Sequence, residues 1–547
     1  MKILLLISSF NSLSQRVYCE LKELNHEVSI CLGNEKNLIE DINDIDPDII
    51  FCPFLKEYLS HDIYEKYPTF ILHPGIIGDR GHQSLDHAIN EEKEQWGVVI
   101  LKANEELDGG DIYASSQFKM RITSKGSIYR NEVCDATSNA LKDLLNNLQD
   151  SNFKPTPQIQ NDIHETLTQK KRKIDWEKDT TDVIIKKINM SDSYPGVKEN
   201  LLGIDCFLYG VCKEDTFKGK SKEILAKRDG AICIATCDGA IWVSHLKKEG
   251  SFKLPATYVL KDKIKGIKEH RIPLFLEDSK NTFHEIYVEK KDDIAYLHFD
   301  FHNGAMNSEQ AIRLKYAVEY LKEECKVLVL MGGEEFFSNG IHLNILEDSK
   351  KQGEDGWSNI NAMNDVVKSI LFAEDIITVA SFSKNAGAGG VFLGLACDYT
   401  IARDGIVLNP HYQTMGLSGS EYHTFSFYKR VEKNIADEIL YKCIPIGNAK
   451  AKKIGMIDEV YPSIDYQENL ENFCKNLISD ENKYEDFIDE KKDFIFDNEE
   501  KIEKLKEKEL QRMYPEFWDK NSSFHYLRTE FIYKKEHKDS LKRLKEL

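Results

Sequence analysis

The sequence is short of positive charge, of long apolar runs and of closely paired cysteines. Its 547 residues hold 73 Lys plus Arg against 92 Asp plus Glu, a net charge of -19, which argues against an electrostatic grip on nucleic acid or an anionic membrane. No apolar run approaches the length that spans a bilayer. The 12 cysteines are scattered without C-x-x-C spacing, so no zinc or other metal site is expected. Thiols without such pairing in a large chain predict a reducing, cytoplasmic compartment.

Strands and helices alternate in residues 1–150. The apolar runs KILLLI, EVSICL, PDIIFCPF and PTFILHPG predict four strands. The first run is too short for a signal peptide and is interpreted as a buried strand. This alternation predicts an α/β fold with a parallel, Rossmann-like sheet, whose ligands lie at the carboxyl ends of the strands. The loops after Ile7, Phe51 and Leu72 are therefore the predicted ligand-binding loops.

The pattern changes several times further along the chain. Residues 151–173 are polar and contain two prolines, which predicts a linker or an extended crossing segment. Residues 174–278 hold short alternating runs typical of hairpins. Residues 279–478 hold further strands and a Gly-rich loop, and residues 479–547 predict helices that dock on the body of the protein. The aromatic residues expected to dock are Tyr514, Phe517, Trp518, Phe524 and Tyr526.

The first candidate catalytic residues follow the fourth strand. His73 precedes a Pro-Gly turn, and Asp108 opens a second tight turn after the apolar run GVVILKA. On neighbouring loops, an aspartate can orient an imidazole and stabilise its charged form, while the imidazole stabilises an oxyanion or moves a proton. As isolated residues, a strand cap and a turn former would be the simpler interpretation.

The whole segment resembles the formyltransferases that use 10-formyltetrahydrofolate, including methionyl-tRNA formyltransferase. The matching positions are His73-Pro74, Arg80-Gly81, Ala88-Ile89, Gly97-Val98 and Leu107-Asp108-Gly109-Gly110-Asp111. The resemblance implies catalytic roles for His73 and Asp108 and a folate site that includes Arg80, Gly81 and Gly110. IDW and YPG, at residues 174–176 and 194–196, resemble the small, β-rich, OB-like domain that follows the catalytic domain in this family.

One position departs from the formyltransferase pattern. The family's Asn, two positions before the His, is Ile71 here, and Ile cannot donate a hydrogen bond to a formyl oxygen. Loss of such a donor typically costs a factor of about 100 to 1,000 in rate. Either Gln83, Ser84 or a backbone N–H replaces it, or the acceptor is not the amine of a typical formyltransferase.

Two segments of the third region offer backbone N–H groups to an oxyanion. GGEEFFSNGIHLNILE follows the strand VLVLM, and NAGAGGVFLGLACDYTIA places a Gly-rich turn at a helix N-terminus. A Gly-rich turn by itself also indicates close helix–strand packing. Together the two segments resemble the crotonase (enoyl-CoA hydratase/isomerase) superfamily over residues 285–460, approximately. The resemblance implies a β/α spiral domain that binds CoA.

Carried over by position, this resemblance implies an oxyanion hole formed by the N–H groups of Ile341 and Gly389. It also places Gly340 and Asn307 in the CoA site. Several cationic side chains could bind the CoA phosphates, and the sequence does not indicate which of them do. The candidates are Arg16, Arg130 and Arg543.

The carboxylates of a hydratase are missing. Phe392 and His411 stand at the two expected positions, so activation of a hydrating water is not expected. Tyr412 and Glu421 remain as acid–base candidates. A packing aromatic and a residue at a helix N-terminus are equally good interpretations of these two side chains.

Over essentially its whole length, the chain resembles the HypX/HoxX family of nickel–iron hydrogenase maturation factors. The resemblance implies transfer of the formyl group of 10-formyltetrahydrofolate to CoA. Decarbonylation of formyl-CoA would then supply carbon monoxide to the hydrogenase maturation machinery. Two alternatives stay open. One is a formyltetrahydrofolate hydrolase or an amine formyltransferase, and the other is a non-catalytic maturation scaffold.

Overall fold

The computed structural model describes residues 1–275, 280–535 and 543–544. The chain divides into two compact units. Among the described residues, the first comprises residues 1–270, 280–283 and 543–544, and the second comprises residues 271–275 and 284–535.

The first unit begins with a six-stranded sheet in the order β2-β1-β3-β4-β5-β6. Its strands are β1 (Lys2–Ile7), β2 (Glu27–Leu32), β3 (Ile49–Cys52), β4 (Thr69–His73), β5 (Gln95–Lys102) and β6 (Ile112–Lys119). The predicted parallel arrangement is confirmed for β1 to β4. The last two strands differ, because β5 runs antiparallel to β4 and residues 103–111 return the chain as β6, antiparallel to β5.

Helices pack on this sheet through apolar stripes. In the first helix, buried Leu13, Val17 and Leu21 share one face, and Asn11 caps the N-terminus by accepting from Ser14 N at 3.0 Å. The helices of the first unit up to its second sheet are α1 (Ser12–Glu23), α2 (Leu38–Ile45), α3 (His61–Tyr64), α4 (Ser84–Asn90), α5 (Lys125–Ile128), α6 (Cys134–Gln149), α7 (Gln169–Arg172) and α8 (Thr181–Met190). Of these, α7 and α8 contact the strands of the small β-rich domain rather than this sheet. A π-helical turn, Tyr129–Val133, joins α5 to α6.

The predicted hairpins of the small β-rich domain form a second sheet in the first unit. Its order is β7-β8-β11-β10-β9, with β12 paired to β11. The strands are β7 (Val197–Leu201), β8 (Ile204–Glu214), β9 (Ile224–Arg228), β10 (Ala231–Ala235), β11 (Ala240–Lys248) and β12 (Lys253–Pro255), followed by α9 (Ala256–Leu260) and a 3₁₀ turn (Lys261–Ile264).

The second unit is built on a six-stranded sheet in the order β13-β14-β16-β18-β20-β23, parallel from β14 onward. Its strands are β13 (Ile286–Lys291), β14 (Ile294–Phe299), β16 (Val327–Gly332), β18 (Ile377–Phe382), β20 (Tyr399–Arg403) and β23 (Glu459–Tyr461). Two smaller sheets stand beside it in the order β15-β17 and β19-β21-β22. They consist of β15 (Ala305–Met306), β17 (Gly340–Ile341), β19 (Ala386–Gly387), β21 (Val407–Asn409) and β22 (Ile446–Gly447).

Ten helices of the second unit lie within the described residues. They are α10 (Ser308–Leu321), α11 (Leu343–Asp348), α12 (Gln352–Leu371), α13 (Gly389–Leu395), α14 (His423–Arg430), α15 (Lys433–Lys442), α16 (Asn448–Lys453), α17 (Tyr466–Leu477), α18 (Glu481–Trp518) and α19 (Ser523–Ile532). Short 3₁₀ turns occur at His302–Gly304 and Gln413–Met415.

The helical C-terminal region docks through aromatic residues of the expected set. Phe517 and Phe524 are buried. Tyr514, Trp518 and Tyr526 are about half-exposed, and the Tyr514 ring contacts the ring of Trp357 on α12, with centroids 5.3 Å apart. Docking therefore depends on one face of α18 and α19, as amphipathic helices require. In the described part of the chain, no helix combines the length and the apolar character needed to cross a bilayer.

Candidate active sites in the two units

The first site lies at the carboxyl end of β4, where the sequence predicted it. His73 is the last residue of that strand, and its Nδ1 lies 3.6 Å from Oδ1 of Asp108. Asp108 adopts a left-handed conformation in the turn before β6, and its Oδ2 accepts from Gly81 N at 3.0 Å. The structure thus brings together the two residues named as a catalytic pair.

A second carboxylate, which sequence reasoning missed, lies closer to the histidine. Asp79 Oδ2 is 2.6 Å from His73 Nε2, and both side chains are buried. A side chain at Gly75 would lie 2.2 Å from that oxygen, so glycine is needed there. Burial lowers the pKa of His73, but the hydrogen bond to Asp79 and the charge of Asp108 outweigh it and raise that pKa. The geometry favours an imidazolium between two carboxylates.

The segment predicted as a linker or crossing segment runs across this site without regular structure over residues 151–168, apart from one β-bridge at Thr156. His164 Nε2 lies 2.6 Å from the other oxygen of Asp79, and its ring stacks on His87 with centroids 4.2 Å apart. Gln158 Oε1 accepts from Gly78 N at 2.9 Å. The crossing segment therefore completes the surroundings of the first site.

Three residues of the predicted folate site have structural contacts of their own. Arg80 donates to Leu107 O at 3.1 Å, and Gly81 donates to Asp108 as described. A side chain at Gly110 would lie 1.8 Å from Lys102 O, so this glycine allows the close approach of β5 and β6. These contacts fix the turn that carries Asp108.

Of the two side chains considered as replacements for the missing Asn, one touches the histidine. Ser84 Oγ lies 3.3 Å from His73 Nε2. Gln83 Oε1 instead accepts from Leu167 N at 2.8 Å, which ties it to the crossing segment. Ser84 is therefore the side-chain hydroxyl that lies next to His73.

The three candidate cations differ in their surroundings. Arg16 is buried and forms an ion pair with Glu20 on its own helix. Arg130 interacts electrostatically with the buried carboxylate of Asp192. Arg543 is half-buried in the short described stretch at residues 543–544. None of these contacts tests a role in binding phosphate.

In the second unit, the two loops of the expected oxyanion hole meet. A Cβ placed on Gly340 would lie 3.1 Å from Gly389 N, and Gly389 is the first residue of α13. The first N–H groups of a helix have no acceptor within it. Ile341 follows Gly340 in β17, opposite Met306 of β15. The two segments that carry the predicted N–H groups are thus neighbours, and their role as an oxyanion hole stays a prediction.

The acid–base candidates Tyr412 and Glu421 form a hydrogen-bonded pair beside this hole. The Tyr412 hydroxyl donates to Glu421 Oε2 at 2.5 Å, and Glu421 is only 1% exposed. A side chain at Gly389 would lie 2.6 Å from Glu421 Oε1, so the carboxyl group packs directly against the start of α13. Burial raises the pKa of Glu421 despite the hydrogen bond from Tyr412.

The positions of the absent hydratase carboxylates have other contacts. The ring of Phe392 stacks on Tyr412, with centroids 5.4 Å apart and planes 13° apart, and also contacts Phe427. His411 Nδ1 lies 3.2 Å from Thr414 Oγ1. The aromatic ring of Phe392 therefore occupies a position at which the crotonase resemblance implies a carboxylate that activates water.

Asn307 has a structural contact that the sequence did not indicate. Its side chain accepts from Gln310 N, and the Gln310 side chain accepts from Asn307 N, each at 2.9 Å. This capping box starts α10. The contact fixes the loop assigned to CoA without testing a role in binding.

Fold and site together define a fusion of two enzyme classes. Residues 166–263 match the formyl transferase C-terminal domain, and residues 289–526 match the enoyl-CoA hydratase/isomerase family. A methionyl-tRNA formyltransferase from Kosmotoga olearia is 22% identical over 42% of this chain and 78% of its own length.

The chain belongs to the HoxX/HypX family of hydrogenase maturation factors. It is 34% identical to the hydrogenase maturation factor HoxX of Bradyrhizobium diazoefficiens over 98% of this chain and 95% of that protein. It is 41% identical to HypX from Aquifex aeolicus, whose crystal structure in complex with tetrahydrofolic acid it matches with a TM-score of 0.95, over 98% of this chain and 97% of that one.

Proposed function

We propose that this protein produces carbon monoxide for the iron centre of a nickel–iron hydrogenase by two reactions in series. In the first, the formyl group of 10-formyltetrahydrofolate passes to the thiol of CoA. In the second, formyl-CoA splits into carbon monoxide and CoA. The fusion of a formyltransferase-like unit with a crotonase-like unit supports this order, and the complex of the Aquifex relative with tetrahydrofolic acid supports a folate donor.

The first reaction is balanced in protons, because the thiol loses one and the folate amine gains one. An imidazolium held between Asp79 and Asp108 can stabilise the developing oxyanion and relay that proton. Ser84 is the side-chain hydroxyl next to His73. A thiol acceptor is consistent with the loss of the family's amide donor at Ile71.

The second reaction removes the formyl hydrogen as a proton and returns a proton to the sulfur, while the carbon–sulfur bond breaks. The N–H groups of Ile341 and Gly389 polarise the thioester carbonyl. Glu421 accepts the formyl proton with Tyr412 as its hydrogen-bond donor, since a buried carboxyl with a raised pKa is a stronger base than an exposed one. Excluding water from such a site suppresses hydrolysis to formate.

One observation carries this proposal. The Tyr412–Glu421 pair stands against Gly389 at the expected oxyanion hole, while Phe392 occupies a hydratase carboxylate position and stacks on the tyrosine. A group that can move a proton is therefore present, but the carboxylates that activate water are not.

The test supplies 10-formyltetrahydrofolate and CoA to the full-length protein and measures carbon monoxide by its capture on reduced myoglobin. We expect Glu421→Gln to lower the yield at least 100-fold and Tyr412→Phe about 10-fold. The matched control is Glu503→Gln, because Glu503 hydrogen-bonds Tyr422 at 3.0 Å outside the pair.

The products distinguish the remaining alternatives. Formate would indicate a hydrolase, and a formylated amine would indicate an amine formyltransferase. Binding of folate and CoA without turnover would indicate a scaffold. Undiminished carbon monoxide from both site variants would remove Glu421 and Tyr412 from the mechanism. Mass spectrometry of ligands released from the denatured protein tests separately whether CoA is bound.

A further inference from the structure

The turn formed by residues 419–422, which carries the proposed base of the second site, has an unusual backbone. Three of its four residues are left-handed, with φ angles of 93° at Gly419, 61° at Glu421 and 54° at Tyr422. A glycine adopts this region freely, whereas a glutamate and a tyrosine are strained in it. Strained residues keep such a conformation only where neighbouring groups hold them. The turn therefore depends on contacts from elsewhere in the second unit.

One of these contacts comes from the middle of α12, far away in the sequence. Asn364 Oδ1 accepts from Glu421 N at 3.1 Å, and both residues are buried. Glu421 precedes α14, which begins at His423, so its N–H group has no acceptor within that helix. The amide oxygen of Asn364 thus satisfies a buried donor that the local backbone leaves open.

The helix itself gives little reason for an asparagine at position 364. Asn364 Nδ2 donates to Ile360 O at 2.9 Å, but a carbonyl inside a helix already accepts from the backbone N–H four residues later. Asparagine is also a poorer helix former than alanine or leucine, because its side chain competes for backbone groups in this way. The contact that explains the buried amide is therefore the one with Glu421.

The backbone conformation of Glu421 determines where its carboxyl group lies. In the left-handed turn, Oε2 accepts from the Tyr412 hydroxyl, and Oε1 lies 2.6 Å from a Cβ placed on Gly389. Gly419 allows the close approach of Tyr412, since a Cβ at this glycine would lie 2.5 Å from Cδ2 of the ring. Rotation of the Glu421 backbone out of this region would move the carboxyl group away from both partners. A displacement of about 1 Å can cost a factor of about 100 in rate.

We propose that Asn364 is a positioning residue for the second reaction. Its amide oxygen holds the N–H group of Glu421 and so keeps the left-handed turn that directs the carboxyl group to Tyr412 and Gly389. This inference rests on the proposed role of Glu421 as the base. Asn364 acts through Glu421 rather than on the substrate, so loss of its contact should lower kcat and leave KM almost unchanged.

Two substitutions separate the contact with Glu421 from the contact within α12. Asn364→Ser can still hydrogen-bond Ile360 O, but its hydroxyl is one bond too short to reach Glu421 N. Asn364→Asp keeps an acceptor oxygen at the reach of the amide oxygen, but it loses the donor to Ile360 O. A role confined to the helix makes Asn364→Asp the damaging change, whereas positioning of Glu421 makes Asn364→Ser the damaging change.

The first readout is hydrogen exchange of the Glu421 amide in the full-length protein, measured by mass spectrometry with residue-level fragmentation and without substrate. We expect this amide to exchange at least about 10-fold faster in Asn364→Ser and within about threefold of the unaltered protein in Asn364→Asp. The matched control is Asn361→Ser, because Asn361 donates to Trp357 O at 2.7 Å, the same contact one turn earlier in α12. An unchanged rate in Asn364→Ser, or the reverse order of the two Asn364 variants, would overturn the inference.

The second readout is the release of carbon monoxide from added formyl-CoA. Asn364→Ser should lower kcat about 10-fold and change KM less than about twofold, whereas Asn361→Ser should leave both within about twofold. Faster exchange of the Glu421 amide with an unchanged kcat would show a merely structural contact and would contradict the inference. Absence of carbon monoxide even from the unaltered protein would instead overturn the proposed function, and the exchange rates would still show whether Asn364 holds Glu421.

Discussion

The Asp79 carboxylate binds two histidines at once, through Oδ2 to His73 and through Oδ1 to His164, at 2.6 Å each. Sequence reasoning named His73 and Asp108 because each follows an apolar strand and enters a recognisable turn. Asp79 carries no such signal, since an aspartate between Gly78 and Arg80 is typical of a turn. Its role follows only from the folding of the loop back onto the strand end.

The Asp79→Asn variant should show a stability loss that depends on pH. The pKa of His73 is raised above 6.5, so its contribution is complete below pH 6.5 and is lost as the pH rises through the folded value. Burial raises the pKa of Asp79, but His73 outweighs it and lowers that pKa below 3.8, so its contribution is complete above pH 3.8 and is lost as the pH falls through the folded value.

The loss in Asp79→Asn is therefore expected to be greatest between about pH 4 and pH 6.5 and smaller at pH 8. Its size is about 2 kcal/mol, as for a hydrogen bond to a charged group. Calorimetric unfolding of both proteins at pH 5, 6.5 and 8 measures it. Asp62→Asn on the exposed face of α3 is the control. A loss independent of pH would contradict the charged state of the pair.

A second prediction at the residue scale concerns Ala388, the residue before α13. It adopts φ 45° and ψ -129°, a region that favours glycine. The strain costs of order 1–3 kcal/mol, against about 0.4–1 kcal/mol of extra unfolded-state entropy for glycine. We expect Ala388→Gly to stabilise the second unit by about 1 kcal/mol.

Thermal unfolding measures this effect, and Ala386→Gly is the matched control. Ala386 is buried in β19 and has no left-handed backbone, so glycine there should destabilise the protein. Equal destabilisation by both variants would show that the backbone of Ala388 carries no relievable strain.

At the scale of elements, apolar runs predicted β1 to β4 of the first unit and the strand β16 of the second, because buried parallel strands are continuous apolar runs. The antiparallel return of the chain as β5 and β6 was not predicted. The crossing segment and the partners of α18 could not be predicted in the same way. An irregular polar segment has no period that indicates which surface it covers. Glu509 lies in a helix dense with Lys and Glu, where one buried carboxylate is not distinguished by sequence from its solvated neighbours.

The crossing segment should therefore affect catalysis although it contributes no residue of the formyltransferase motif. His164→Ala removes a hydrogen bond to a charged group, worth about 1.5–3 kcal/mol. We expect formyl-CoA formation to slow about 10- to 100-fold, since 1.36 kcal/mol corresponds to a factor of ten. The control is His61→Ala, which removes a largely exposed histidine side chain from α3. Unchanged kcat in His164→Ala would show that the segment only covers the site.

At the scale of the whole molecule, each unit carries its own set of catalytic candidates and matches its own enzyme class. The reaction proposed for one unit does not explain why the chain also contains the other unit. A formyltransferase alone needs no crotonase fold, and a crotonase without its hydratase carboxylates needs an unusual thioester as substrate. In the proposed function, formyl-CoA satisfies both conditions, as the product of the first site and the substrate of the second.

Two single substitutions should therefore cause complementary losses in the full-length chain. His73→Gln removes the imidazole of the first site, so carbon monoxide from 10-formyltetrahydrofolate and CoA should fall at least 100-fold. Release from added formyl-CoA should stay within twofold. Glu421→Gln should leave formyl-CoA formation intact and block release, so formyl-CoA accumulates and can be measured by chromatography. If His73→Gln also blocked release from added formyl-CoA, or if Glu421→Gln prevented formyl-CoA from forming, the two units would not act in series through a common thioester.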